Sequence, residues 1–248
     1  MRSINSLIIL FCFSINAQTI LNSERVLSKI DSVIVVGASI DGDFSYGNLN
    51  LIQTNFNGQI GKKINNSVLR GVFNYAYTSE NKEVLSNDWS GQLRLNRIFN
   101  SNSIFFFLQG QNVKSLNLKS RYLLGGGYRM NLYKNSSDYF DFSLGIFSEN
   151  EVYNYNDISL SVSNIRYSIS FLSSIKVFKK LNFNNTLYCQ INTKSFSDFR
   201  LYFEPRFNYS LNDKFELFFT VRSKYHSTPY IEIKSSDYQS SFGIEFSL

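Results

Sequence analysis

Phe199-Arg200-Leu201-Tyr202-Phe203-Glu204-Pro205-Arg206-Phe207-Asn208-Tyr209-Ser210-Leu211 is the stretch on which the fold turns. Taken alternately, Phe199, Leu201, Phe203, Pro205, Phe207, Tyr209 and Leu211 form an apolar set, and Arg200, Tyr202, Glu204, Arg206, Asn208 and Ser210 a polar one. Successive side chains of a β-strand point to opposite faces, so a period of two marks a strand with one apolar and one charged side. Thirteen residues exceed the roughly 5–6 of an ordinary soluble strand and suit the roughly 9–11, plus rims, of a strand that crosses a bilayer.

The same alternation runs through residues 215–225, the C-terminal stretch from Tyr238 to Leu248, residues 181–192 and residues 165–177. Weaker versions occupy residues 33–43, 48–61, 67–79, 88–100, 103–113, 116–132 and 138–149, which brings the expected strands to twelve. An even number fits a single-chain, all-β, transmembrane antiparallel up-and-down β-barrel with both termini on the periplasmic side. Such barrels have short periplasmic turns and longer outer loops. Lys62–Asn66, Asn100–Asn102, Tyr133–Ser137, Lys179–Lys180 and Asn212–Asp213 are the expected tight turns. Ser79–Asn87, Glu149–Leu160 and His226–Ser235 are the expected outer loops, with Phe44–Gly47 a short exception.

The composition agrees: 43% hydrophobic, 17% aromatic and 18% charged, with 24 Phe, 16 Tyr and only 2 Pro in 248 residues. Beyond the first seventeen positions no window approaches the roughly 18 unbroken apolar residues of a membrane helix, which excludes a helical membrane protein. A soluble β-sandwich also has an apolar face. Strand length and the abundance of Phe and Tyr near strand ends, where interfacial girdles sit, favour the barrel. Arg97 is the clear charge on the apolar face, beside an expected turn where its side chain can snorkel.

Met1-Arg2-Ser3, the apolar Leu7–Phe13 and the small Ala17 read as a signal peptide over residues 1–17. Residues 18–32 form a periplasmic N-terminal segment in which Leu21, Val26, Leu27 and Ile30 have partial helical spacing, as a short helix, a plug or a loose leader. Residues 33–248 are the barrel. With Cys12 removed, Cys189 has no disulfide partner and a cysteine zinc site is excluded. The net charge of +6 comes from scattered Lys and Arg rather than a basic patch, so a nucleic-acid partner is not implied. The expected place is the outer membrane of a Gram-negative-type bacterium, with the lipid bilayer as first partner.

Ser241-Phe242-Gly243-Ile244-Glu245-Phe246-Ser247-Leu248 looks like a C-terminal β-signal for the outer-membrane barrel assembly machinery, through Ser241, Gly243, Phe246 and Leu248. Asn87-Asp88-Trp89-Ser90-Gly91-Gln92-Leu93-Arg94, Leu123-Leu124-Gly125-Gly126-Gly127-Tyr128-Arg129 and Ser197-Asp198-Phe199-Arg200-Leu201 add a further likeness. In this order, and with Phe242–Phe246, they resemble the YdiY-like, salt-induced outer-membrane protein family over about residues 33–248. The resemblance implies an uncharacterised outer-membrane barrel and carries over no catalytic or binding residue.

The polar face is the more informative one. Inward candidates are Arg70, Arg94, Arg121, Arg166, Arg200, Arg206 and Arg222, with Arg129, Lys119, Lys176 and Lys224, against Glu204, Glu216, Glu245, Asp88, Asp141 and Glu149. The basic excess predicts a narrow, weakly anion-preferring channel for small solutes; paired, the same charges would instead brace the barrel. A second reading is a structural or partner-binding barrel acting through outer loops at Tyr153–Asp157 and Ser227–Lys234. A third is an outer-leaflet lipid enzyme with His226 as base beside Ser223, Ser227 and Asp237, although parity turns His226 toward the lumen. Gly125-Gly126-Gly127 lacks the lysine and helix of a phosphate loop and reads as a place of close approach inside the barrel. No motif implies catalysis, a cofactor or a metal.

Overall fold

The computed structural model describes residues 34–45, 51–156 and 158–247. The expected signal peptide and periplasmic segment, Tyr46 and Gly47 of the Phe44–Gly47 connection, and Leu248 lie outside them. Twelve strands follow one another: β1 (Val35–Ser45), β2 (Leu51–Ile64), β3 (Ser67–Glu80), β4 (Glu83–Phe99), β5 (Asn102–Val113) and β6 (Leu118–Lys134). They continue as β7 (Tyr139–Tyr155), β8 (Ile158–Phe178), β9 (Leu181–Asn192), β10 (Phe199–Ser210), β11 (Phe215–His226) and β12 (Ser236–Ser247). Each pairs antiparallel with its chain neighbours, and β1 closes on β12 from Gly37 opposite Ser247 to Asp41 opposite Gly243. The fold is a closed, all-β, antiparallel barrel, whose closure leaves no edge strand.

Period two decides what each side chain meets. In β10 Leu201, Phe203, Phe207 and Tyr209 are exposed, while Arg200, Tyr202, Glu204, Arg206 and Asn208 are buried. Phe207 stands between Phe183 of β9 and Phe219 of β11 in register, with 4.9 Å between the Phe183 and Phe207 ring centroids. Pro205 has no N–H to give the ladder. The β10–β11 pairing skips from Phe203 to Arg206, and the Thr220 hydroxyl bonds the Pro205 carbonyl at 3.2 Å instead. Around the outside, Ile40, Phe56, Phe73, Leu93, Phe106, Leu124, Ile146, Tyr167, Phe219 and Phe242 make an exposed apolar belt. Such a belt over a polar interior inverts a soluble protein and suits a bilayer. Among the described residues no helix is long and apolar enough to cross a membrane. Arg97 is exposed and donates to Ser67 Oγ at 3.1 Å, beside the β2–β3 turn.

The connections sort by end. Residues 65–66, 100–101, 135–138, 179–180 and 211–214 make one set of tight turns, here the turn end, where β1 begins and β12 finishes. At the opposite loop end, among the described residues, lie residues 81–82, 114–117, 156, 193–198 and 227–235. Two expected outer loops are strands instead. Residues 79–87 are the paired ends of β3 and β4 around Asn81 and Lys82, whose φ values of 48° and 73° make the tight two-residue hairpin turn. Residues 149–155 and 158–160 are the ends of β7 and β8, with Asn156 at φ 49° after β7. In the β7–β8 extension the outward face turns polar, at Asn150, Asn154, Ser159 and Ser161. The backbone ladder continues where the hydrophobic alternation stops.

Candidate functional site: the charged lumen and its covered mouth

The inward positions form three tiers along the barrel. Nearest the loop end, Glu149 of β7 sits among three guanidiniums: Arg121 of β6 and Arg200 of β10, each 2.8 Å from its Oε2, and Arg166 of β8 on its Oε1. Glu151, two residues on and therefore on the same face, takes Arg121 Nε and Arg200 Nη2 at 3.0 Å each. Asp198, just before β10, takes Arg166 Nη2 at 2.7 Å. Three carboxylates thus balance three arginines, a condition for holding them at 0–1% exposure, since an unpaired buried charge is strongly unfavourable.

Asp198 is also the hub that ties the mouth. Its Oδ1 lies 2.9 Å from His226 Nε2, and its Oδ2 accepts from Asn192 at 2.9 Å and from the Tyr230 hydroxyl at 2.8 Å. Burial pushes its carboxyl up, but the hydrogen bonds from His226, Arg166 and Asn192 and the Arg166 charge outweigh this and hold it well below the usual carboxylate range. Burial, together with the bond to Asp198, raises the Tyr230 phenol against the opposing pull of Arg166 and Arg200.

Tyr230 belongs to the β11–β12 connection, residues 227–235, which crosses the mouth instead of rising from it. Tyr230, Ile231 and Ile233 pack on Val113, Leu116, Leu118 and Tyr153 from the opposite wall. Leu116 is carried there by a single 3-10 turn, Lys114–Leu116, anchored where Asp88 accepts from the Lys114 amide at 2.7 Å and the Ser115 hydroxyl at 2.8 Å. This small apolar cluster covers the charged tier below it.

In the middle tier Arg222 pairs with Glu204 at 2.8 Å, and the Tyr202 hydroxyl donates to the same carboxylate. The Arg94 guanidinium lies 3.9 Å from the Phe105 ring centroid. At the turn end Arg206 pairs with Glu245 and lies 3.6 Å from the Phe218 centroid; Arg129 pairs with Asp141, Arg70 donates to Asn96 at 2.8 Å, and Glu216 accepts from Asn208 at 2.8 Å. Of the residues expected to line the lumen, Arg70, Arg94, Arg121, Arg166, Arg200, Glu204, Arg206 and Glu245 are buried, and Glu216 and Arg222 are half-buried.

The expected positive excess is absent from this arrangement. Lys119 is exposed because a bulge between Leu118 and Ser120 breaks the alternation, and Lys176 is exposed at the turn-end rim. Asp41, Glu151 and Asp198 join the buried acids, and Asp237 pairs with Lys224 at 3.7 Å. Glu151 shares the parity of Glu149 and Asp198 that of Arg200; both were legible once the strands and their flanks are drawn long enough. The role of Tyr230 depends on where a loop folds, for which the sequence carries no periodic signal.

His226 is 2% exposed and inside the barrel. Ser227 Oγ donates to the Ser197 carbonyl and accepts from the Phe199 amide, so no Ser–His pair forms among the described residues. Nor do those residues contain a His, Cys, Asp and Glu cluster able to hold a metal. Ser241 and Gly243 face inward, where a Cβ on Gly243 would come 2.6 Å from the Phe218 ring; Phe246 packs on Phe215 with centroids 5.2 Å apart.

Filling is uneven around the barrel. From β4 to β10 the inward side chains are mostly buried. On β2, Gln53, Asn55, Asn57 and Gln59 are only half-buried, as are Asn74 and Thr78 on β3 and Gln239 on β12. Their outward neighbours Ile52, Phe56 and Ile60 fix these amides on the luminal side.

The fold matches solved outer-membrane barrels. The NanC porin aligns with a TM-score of 0.54 at 8% identity, over 86% of this chain and 100% of that one. The COG4313 outer membrane channel from Pseudomonas putida F1 aligns with a TM-score of 0.50 at 8% identity, over 88% of this chain and 95% of that one. At these identities the likeness is one of fold. No curated protein matches the sequence. Residues 39–248, nearly the whole barrel, match a single family, and the chain belongs to it: the proteins of unknown function DUF481.

Proposed function

We propose that this chain is an outer-membrane barrel that gives small polar solutes a narrow passage along the β12–β1–β2–β3 wall, with the β11–β12 connection covering the mouth. The half-exposed row Gln53, Asn55, Asn57 and Gln59 carries the reading, because inward amides that keep contact with water border unfilled lumen. The opposite wall is braced shut by ion pairs. Since the luminal acids and bases are close to balanced, the passage has little ion preference, in place of the anion preference that the sequence suggests. Twelve strands fall between the filled eight-strand barrel and the open channel of sixteen or more.

The remaining assignments belong to the same proposal. Residues 1–17 are a signal peptide, residues 18–32 a periplasmic segment, and both termini of the barrel are periplasmic, in line with the short turns where β1 begins and β12 ends. The C-terminal β-signal engages the barrel assembly machinery. The YdiY-like, salt-induced grouping rests on the motifs around Trp89, Gly126 and Asp198.

Single-channel recording of the refolded barrel in a planar bilayer tests the passage. A small, stable conductance that falls in Asn57→Phe, where a ring fills the amide row, supports it. A correctly folded but silent barrel overturns it in favour of a structural or partner-binding role.

A further inference from the structure

A second luminal feature lies away from the amide row, between β4 and β9. It is a cavity of about 50 Å³ whose lining includes Gln92, Arg94, Phe105, Ser143, Tyr188 and Gln190. Three of its polar atoms, Gln92 Oε1, Ser143 Oγ and Gln190 Oε1, are buried with no hydrogen-bond partner. The parent residues are 8%, 2% and 7% exposed. Leaving such atoms unsatisfied costs about 1–3 kcal/mol each, so three around one cavity mark a place that something polar fills.

Their chemistry restricts the occupant. Two are amide carbonyl oxygens, which need a donor, and the third is a hydroxyl that can give or accept. The Gln92 amide nitrogen donates to Gln109 at 2.8 Å, and Gln109 donates in turn to Gln111 at 2.8 Å, which leaves the Gln92 oxygen as the end of the chain that lacks a donor. A bare anion offers no donor to either carbonyl. The lining holds the Arg94 and Arg121 guanidiniums and no carboxylate, while the Phe105, Phe107 and Phe147 side chains give it apolar surface. Hydroxyl groups on a short carbon chain match all of these at once: O–H to the amide oxygens, acceptors toward Ser143 and Arg94, and C–H against the rings. At about 10–15 Å³ per water the cavity has room for about three to five waters, the span of a chain of two to four carbons.

We propose that this cavity is a binding site for a small hydroxylated solute, a polyol or hydroxy acid of two to four carbons, held by Gln92, Ser143 and Gln190. The assignment is independent of the passage, because binding is read in micelles without a bilayer or a flux.

Saturation-transfer NMR on the refolded barrel in detergent micelles, with glycerol, glycerate and propane as probes, tests it. Glycerol or glycerate receives saturation and propane does not. Glycerate above glycerol assigns the site to hydroxy acids through the Arg94 charge, and the reverse order assigns it to neutral polyols. Ser143→Ala and Gln190→Leu, each confirmed folded by circular dichroism, weaken the binding about five- to tenfold, as the loss of one hydrogen bond requires. No transfer to either hydroxylated probe, or transfer unchanged in both variants, overturns the proposal and leaves a cavity filled by water alone.

Discussion

Arg166 donates from Nη2 to the phenol oxygen of Tyr230 at 2.6 Å, joining residues 64 positions apart in the chain. The bond runs from the wall of the barrel to the connection that covers its mouth. Asn164 adds a second bond to the same oxygen at 2.8 Å, and Tyr230 gives its own proton to Asp198. One hydroxyl is therefore the meeting point of wall, loop and cover.

Tyr230→Phe removes that hydroxyl and keeps the ring on Tyr153. Arg166 and Asp198 retain each other, so the loss is about 1–2 kcal/mol in the closed state. Local opening of the connection then becomes about five- to thirtyfold more frequent. Exposed Lys234 reports it: the tryptic cut after this residue, mapped by mass spectrometry, is faster in the variant by that factor. Equal cleavage rates in the two proteins would mean that the hydroxyl does not hold the cover.

The same hub sets a pH window. A carboxyl depressed in the folded state, as Asp198 is, stabilises the closed mouth at every pH above its unfolded value near ~4, and loses that effect only as the pH falls through the lower folded value. Tyr230 works with the opposite sign: its raised phenol supports closure fully below about pH 10 and loses that support as the pH rises beyond it. His226, on the same carboxylate, narrows the window: burial lowers its imidazole, so its support for closure is complete above ~6.5 and is lost as the pH falls further. A nitroxide at Thr228, in a Cys189→Ser background, is thus expected to keep one mobility between about pH 7 and 9 and to gain mobility on either side. A rise in mobility within that window would contradict this.

Much of this architecture is legible in the chain, and the parts that are not share a cause. Wherever one strand face meets lipid and the other the lumen, as from Phe199 to Leu211, the difference in solvent imprints a period of two. Where the outward face meets water instead of lipid, at Asn150 or Ser161, the imprint vanishes although the strand persists. Parity therefore located Arg121, Arg200 and Arg206 inside but ended β7 two residues short of Glu151. Bulges erase parity in a different way, as beside Lys119, because one extra residue turns every later side chain over. The balance of luminal charge depended on these few positions, so the sequence overstated the positive excess.

Glu149 makes the severest single test of the charged tier. It serves Arg121, Arg166 and Arg200 together, and Glu149→Gln leaves guanidiniums at 0–1% exposure with one carboxylate fewer. Removing one member of a buried ionic group costs about 3–5 kcal/mol. Urea unfolding of the barrel in bilayer vesicles should shift by that amount. Glu216→Gln, at a half-buried position bonded to Asn208 and Ser210, should cost much less. Equal shifts would refute the network as the brace of the upper lumen.

The lower edge of that brace is packed by rings instead of charges, and glycine makes the space. Gly127 of β6 lies in register between Phe105 and Gly145. A Cβ there would come 2.7 Å from Phe105 Cζ and 2.6 Å from Gly145 Cα. Gly127→Ala must therefore move both a ring and a neighbouring strand, at a cost of about 1–3 kcal/mol or more. Phe105→Leu relieves the ring contact but leaves the backbone one. In a double-mutant cycle the two changes are then less destabilising together than their sum, with a coupling of about 0.5–3 kcal/mol, and Gly127→Ala still costs stability in the Phe105→Leu background. Strict additivity in urea unfolding would show that the ring does not depend on the glycine, and full rescue would show that the strand contact yields freely.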